Sequence, residues 1–584
     1  MHLRALQLAF FLLVVPAPVF AGVRYVNAAL TTGANDGSTW ANAFQGQIAV
    51  QSALAVSQSG DQLWCAAGSY KPTLGTTTTI SFVLSDGVEL YGGFVGSETQ
   101  LEQRNPAANP TILTGLLGTT NSLHVIESTN VGANTMLDGF TVRDGRASTF
   151  SLPGGAGGGI LCSYGAGPTV RNCTFTANYA AWQGGAVFAD GSALTLENCR
   201  FVSNTGDASQ GWGGAVALGG GSQATILDCT FESNSAANGG ALQLIDSGET
   251  TVVQCIFHDN SAFSSIQSGG GAILVQYGNL VMRQCIVVDN HATAGSVGGI
   301  ASLALLNLCN NIIYFNDGPG GAQGLLNNVQ SANLCTWCCV QGITSGVGNT
   351  GADPLFVNHA GGDFHLQPTS PCADAGINTL VPAGTTTDLD GNPRFADDPL
   401  VADSGGGGFP VVDFGAYEVP NTLYDTFCAG DGSLPTACPC GNTGTSGRGC
   451  ASSDFFSPGA LLLASGASTP DSVTLAASDI YPSGTCVFLQ GNQQSASGIV
   501  FGDGVRCVAG SLKRLFIKTA SGGAASAPVA GDPTISARSA ALGDAIQAGT
   551  QRFYQVYYRD SDLNFCPAPQ GNTWNVSSGV IVNW

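Results

Sequence analysis

Between Gly158 and Asn316 one unit of 26 to 30 residues recurs at least five times, and this repeat limits the chain to very few folds. Its clearest copies read NCTFTAN (172–178), NCRFVSN (198–204), DCTFESN (228–234), QCIFHDN (254–260) and QCIVVDN (284–290), with a degenerate NNIIYFN at 310–316. A second signature alternates with them: GGAV at 184–187 and 213–216, GGAL at 239–242, GGAI at 270–273 and GGIA at 298–301. Successive cysteines at 173, 199, 229, 255 and 285 are separated by 26, 30, 26 and 30 residues. A fixed period of this size marks a solenoid, in which each unit buries its apolar face only against its neighbours.

The periodicity within each unit selects the solenoid. After each Gly-Gly pair, apolar residues fall on one parity (Val187/Ala189, Val216/Leu218, Leu242/Leu244, Ile273/Val275). A period of two is a strand with one buried face. In TLENCRF, Leu196, Cys199 and Phe201 must all face inward, although the first two are three residues apart. The backbone must therefore bend near Asn172, Asn198, Asp228, Gln254, Gln284 and Asn310, a column rich in Asn and Asp, which tolerate left-handed backbone. Two or three short strands per coil follow, with corners at this column, at the FxxN asparagine and at the Gly-Gly pair. The fold class is all-β: a right-handed parallel β-helix, the hand given by the crossover rule for parallel strands. Phe175, Phe201, Phe231 and Phe257 should stack inside it.

The rest of the chain divides around this repeat. Residues 1–21, with Arg4, an apolar run from Leu8 to Val15 and Val19/Ala21 at the end, read as a secretory signal peptide, so the protein is expected outside the cell or on its surface. No later stretch is long and apolar enough to span a membrane. Residues 22–72 should form an N-terminal cap with an amphipathic helix and the first coil, 73–335 the β-helix, 336–420 its C-terminal cap with acidic loops, and 425–584 a cysteine-rich antiparallel β-sandwich. The expected state is monomeric. A net charge of −21 with three lysines excludes nucleic acid as a partner.

The GGA[ILV] and FxxN signatures over about 137–316 resemble the repeats of chlamydial polymorphic outer-membrane proteins. NLCTWCCVQG, GADPLFVN, DFHLQPTSPCADAG and VVDFGAYE resemble the tails of exported bacterial, planctomycete-like, right-handed β-helix proteins of the choice-of-anchor group. That resemblance implies an exported protein and no particular reaction.

Nineteen cysteines fall into two classes. Those in the loop-rich segment after 425 (428, 438, 440, 450, 486, 507, 566) are expected to form disulfides with one left over. The repeat column is not, because stacked Cβ atoms lie about 4.8 Å apart, beyond the roughly 3.5–4.5 Å of a bridge. Zinc at Cys335, Cys338 and Cys339, or at the CPC of 438–440, is the weaker reading, since no second CxxC is present.

Catalysis has less support. NTD and GHG motifs are absent, and the DD pair Asp397–Asp398 falls beyond the coils. A lyase base would have to be an arginine such as Arg171, Arg200 or Arg283. The outward positions beside Cys and Phe read Thr174/Thr176, Arg200/Val202, Thr230/Glu232, Ile256/His258 and Ile286/Val288. Glu232 and His258 thus stack on consecutive coils, beside Asp259 and Asp289; they form either a solvated polar ladder, the reading the sequence favours, or the one acid–base or cation-holding group in register. DLDGNPRFADD, with Asp388, Asp390, Asp397, Asp398 and then Asp413 and Glu418, reads as a plain acidic turn or, as the weaker alternative, as oxygen ligands for a structural calcium ion. The sequence thus favours non-catalytic binding to an extracellular polysaccharide or other cell-surface component, with a polysaccharide lyase or glycoside hydrolase as the alternative.

Overall fold

The computed structural model describes residues 22–584 except 265–268, 294–296, 320–323, 331–334, 397–400, 402, 409, 420–423, 455–456, 467, 469–470, 561, 563 and 567–572. The expected signal peptide therefore lies outside the described residues. The chain forms two compact units, one of residues 1–353 with 380–383, the other of 354–379 with 384–584. No described helix is long and apolar enough to cross a membrane.

The first unit is a parallel β-helix. One sheet has twelve strands, beginning with Phe44–Gln45, Val23–Asn27 and Gln62–Ala66 and ending at Cys335–Thr336. A ten-stranded sheet runs from Gly68–Tyr70 to Cys339–Val340 and an eight-stranded one from Phe82–Val83 to Ile300–Ser302. A fourth, six-stranded sheet of two-residue strands runs from Arg146–Ala147 to His291–Ala292. Central coils therefore hold four strands, against the two or three expected. The extra one, such as Tyr179–Ala180, is too short to show a period of two in sequence. The six-residue helix Ala49–Leu54 inserts Ala49, Val50, Ala53 and Leu54 into the same core as the first coils.

The inward residues stack as their spacing requires. Leu196, Cys199 and Phe201 are fully buried. The rings of Phe175, Phe201, Phe231 and Phe257 lie parallel at 5.0, 4.8 and 4.4 Å. The bend between Leu196 and Cys199 falls at Asn198 (φ 49°), and Asn172, Asp228, Gln254, Gln284 and Asn310 share that left-handed backbone. At the second corner the structure corrects the sequence reading: the left-handed residue precedes the asparagine, at Ala177, Ser203, Ser233, Asp259, Asp289 and Phe315. The asparagines themselves point into the core. Asn178, Asn204, Asn234, Asn260, Asn290, Asn316 and Asn328 are fully buried, and the Nδ2 of each of the first six donates to the next Oδ1 at 2.8–3.1 Å. In the pairs at 184, 213 and 239 the two glycines divide two tasks, left-handed backbone at the first and close approach of the next coil at the second. Gly213 has φ 69°, and a Cβ on Gly214 would lie 2.2 Å from the Gly240 carbonyl oxygen of the next coil.

The cysteine column is reduced and buried. The Cys199, Cys229 and Cys255 backbone N–H groups donate to Sγ of Cys229, Cys255 and Cys285, each at 3.4 Å, so the sulfur accepts at the bend. Where the column ends, Asn311 Oδ1 takes that place, accepting from Cys285 N at 2.8 Å.

The second unit contains a hairpin (Phe356–Asn358 with Asp363–Leu366) and an antiparallel sandwich. Its five-stranded sheet (Tyr424–Phe427, Trp574–Asn583, Gln551–Arg559, Thr485–Gly491, Lys513–Thr519) shares a core with the three-stranded sheet Leu461–Ser465, Thr474–Ser478 and Ala525–Ala527. Cys428–Cys507, Cys438–Cys450 and Cys440–Cys566 are disulfides, and Cys486 is the buried one left over.

Candidate functional site

The structure brings Glu232 and His258 into register on adjacent strands, as their spacing predicts. Both are already engaged. Glu232 Oε2 meets Arg200 Nη2 at 3.0 Å, and His258 Nδ1 meets Asp259 Oδ2 at 2.8 Å. Asp259 and Asp289 occupy left-handed corner positions of successive coils. Farther along the same outward rows, Ile256, Ile286, Val288 and Ile312 are buried, where the sequence suggests an open face.

A cleft of about 710 Å³ opens nearer the start of the helix. Arg104, Arg171, Arg200, Asn172, Asn198 and Glu102 contribute to its lining. Asp138 organises it. Fully buried at the end of the strand Met136–Asp138, its carboxylate takes Arg104 Nη2 at 2.7 Å, Arg171 Nε at 2.6 Å and Asn172 Nδ2 at 2.9 Å. A buried carboxylate needs this degree of compensation. The bond to Asp138 also raises the Arg171 pKa, so that guanidinium stays charged. Arg104 is further held by the Gly92 and Asp138 carbonyls and by the Tyr91 ring, 5.2 Å from its Cζ. Arg200, on the strand Arg200–Val202 of the ten-stranded sheet, is the most exposed of the three. Asn198 Nδ2 donates to Asn172 Oδ1 at 2.7 Å, so the amides of the bend column form one rim.

Of the arginines picked out from sequence, Arg171 and Arg200 meet here, whereas Arg283 is spent on Asn307. Arg104 and Asp138 were missed. Both precede the regular repeats, and the one available signal was that five arginines (104, 143, 146, 171, 200) crowd into a hundred residues of an acidic chain.

The acidic phrase of the second unit is a turn held by N–H donors. Asp388 Oδ1 accepts from Asp390 N and Asn392 N, and its Oδ2 accepts from Glu418 N and Asn392 Nδ2. Asp413 accepts from Asp374 N and Val419 N. Burial pushes the Glu418 carboxyl well up in pKa, against the pull of Arg394, its buried ion-pair partner at 3.1 Å. Asp390 Oδ2 lies 2.7 Å from His365 Nε2, whose Nδ1 meets Asp363 at 2.5 Å. Asp397 and Asp398 lie outside the described residues. No metal-binding group of three His, Cys, Asp or Glu occurs among the described residues, and the Asp388 and Asp413 oxygens are already satisfied by N–H donors.

No curated protein matches this chain. Among solved structures, one titled "Crystal structure of pectate lyase Pel9A" superposes with a TM-score of 0.41 at 13% identity, covering 68% of this chain and 96% of that one. Similarity at that level carries no argument about chemistry. The family described as "Right handed beta helix region" matches residues 78–272 and 207–317. By strand topology and by this match together, that stretch is a right-handed parallel β-helix.

Proposed function

We propose that the protein is exported and acts as a non-catalytic, monomeric binding protein, holding an extracellular polysaccharide or other cell-surface glycan in the arginine cleft. One observation carries this reading: Arg104 and Arg171 are anchored on the buried Asp138, which presents rigid hydrogen-bond donors at an open cleft. Donors positioned in advance suit hydroxyl and carboxylate recognition, because little side-chain entropy is lost on binding. Three disulfides suit an oxidising, extracellular setting, and the likeness of the tail phrases to exported choice-of-anchor proteins points the same way.

The same contacts weigh against proton transfer. Asp138 is saturated with donors, Glu232 is committed to Arg200, and His258 is bonded to Asp259. Glu102, in the cleft lining, is the carboxylate a lyase or hydrolase reading would use.

The test is retention of the full chain on a panel of immobilised polysaccharides, with reducing-end release and unsaturated-end absorbance followed in parallel, with and without calcium. Arg200→Ala should weaken retention about tenfold, with no turnover by either protein. Turnover lost in Glu102→Gln, Glu232→Ala or His258→Ala would establish the enzyme reading. Retention unchanged in Arg200→Ala would remove the cleft from the binding site.

A further inference from the structure

The acidic chain has 39 acids against 18 bases, so an arginine without a carboxylate partner is unexpected. Eight described arginines do pair with carboxylates. Three in the sandwich lie over aromatic rings instead: Arg506 Cζ is 5.2 Å from the Phe501 centroid, Arg514 5.9 Å from Tyr557 and Arg559 5.0 Å from Trp574. Among the described residues none of the three makes an ion pair. The rings form one row, with Phe501 to Tyr557 at 5.5 Å and Tyr557 to Trp574 at 5.6 Å, both edge-on.

Three parts of the fold build this row. The hairpin Gln493–Phe501/Gly504–Ala509 supplies Phe501 and Arg506, and the strand Lys513–Thr519 supplies Arg514. The paired strands Gln551–Arg559 and Trp574–Asn583 supply Tyr557, Arg559 and Trp574. Arg514 and Arg559 are exposed. Arg506 Nε is buried and has no hydrogen-bond partner.

We propose that this row of ring-mounted arginines is a second binding site, for the anionic groups of an acidic glycan. A guanidinium held over a ring and not paired with a carboxylate keeps N–H donors for a planar or tetrahedral oxyanion, which it can bind in bidentate fashion. Three such groups in one row fit several charges along a polymer better than one small ion. The disulfides of this unit belong to an oxidising, extracellular compartment, where sulfate- and uronate-bearing glycans supply such charges. The site is independent of the cleft in the β-helix, and its test does not depend on that reading.

The test is residue-resolved footprinting of the full chain with an arginine-selective dicarbonyl reagent, read by mass spectrometry. It is run at low salt with dextran sulfate, polygalacturonate, neutral dextran or duplex DNA. Dextran sulfate or polygalacturonate should slow modification of Arg514 and Arg559 severalfold, and the more effective one identifies the oxyanion. Neutral dextran should leave the rates unchanged. Arg514→Gln with Arg559→Gln should weaken binding of the protecting polymer about tenfold. Rates unchanged by both acidic glycans, equal protection by neutral dextran, or tighter protection by DNA would each overturn the proposal. Footprinting of the unsubstituted chain needs no variant, so the test stands even if the double variant misfolds. Arg200 in the same digest reports the β-helix cleft separately.

Discussion

Replacing Asn234 by alanine removes an interior member of the buried asparagine column, and its cost can be counted from the contacts. Asn234 Nδ2 donates to Phe201 O at 2.8 Å and to Asn260 Oδ1 at 3.0 Å. Its Oδ1 accepts from Asn204 N at 2.9 Å and from Asn204 Nδ2 at 3.1 Å. Four buried hydrogen bonds at about 1 kcal/mol each give a loss of about 4 kcal/mol, since the partners left behind have no water to turn to. Asn178, at the start of the column, makes three such side-chain bonds, two as donor to Val142 O and Asn204 Oδ1 and one as acceptor from Gly145 N. Asn178→Ala should therefore cost about 3 kcal/mol. The assay is equilibrium urea unfolding by far-ultraviolet circular dichroism, with the labelling rate of Cys229 as a local report of coil opening. Thr225→Ala, on the exposed face one coil edge away, is the control. If Asn234→Ala falls within about 1 kcal/mol of that control, the column is ornament and the reasoning fails.

Two further outcomes follow from other parts of the chain. Thiol reagent added to unfolded, unreduced protein should label Cys173, Cys199, Cys229, Cys255, Cys285 and Cys486, and spare the six cysteines bridged after residue 425 until a reductant is added. Bridges within the repeat column would refute its hydrogen-bonded register. In the second unit, burial pulls the His365 pKa down, but the carboxylates of Asp363 and Asp390 outweigh it and raise it above the usual 6.5. Its contribution to stability is fully present below about pH 6.5 and lost as pH rises through the raised folded value. The bond to His365 lowers the Asp363 pKa, so that carboxylate contributes above its ordinary 3.8 and loses its contribution as pH falls. His365→Gln should flatten the thermal stability of the second unit between pH 6 and 8, to be followed by differential scanning calorimetry. An unaltered pH profile would show that the Asp–His–Asp clasp carries no stability.

The β-helix was legible because its determinants are local and repeated. Phe201 and Cys199 recur at one phase, and the phase break at Asn198 forces a bend that a single copy would leave ambiguous. The second corner was misplaced by one residue, because an asparagine in a turn-rich chain suggests a left-handed turn. Here the turn belongs to Ser203 and its equivalents, and the amide is needed inside. The cleft was half visible. Arg171 and Arg200 sit on repeat strands, but Arg104 comes from a non-repeating loop and meets Asp138 from 34 residues away. No period connects such a pair. The burial of Ile256 and Ile286 was likewise illegible, since strand parity separates inside from outside but cannot say whether the outer side is covered. In the sandwich the longer strands were readable by alternation, whereas the arginine–ring row joins a hairpin to strands distant in sequence.

The asparagine column also has a direction. From Asn178 to Asn316 each Nδ2 directs one N–H to the next amide oxygen, ending at Asn328, and its other N–H to a backbone carbonyl of the preceding coil, so six side-chain amide bonds line up head to tail. Parallel amides add their dipoles, as peptide groups do in an α-helix, whereas an ordinary sheet largely cancels its own. The β-helix thus carries a polarised thread along its axis. Its oxygen end at Asn178 meets the Gly145 N–H, and its N–H end at Asn328 meets the Gly324 carbonyl and Gln341 Oε1. A carboxylate in place of any amide could accept from the coil before it but could not donate to the coil after it, so an internal Asn→Asp change would break the thread into two shorter segments of the same direction, with two oxygens facing each other at the break.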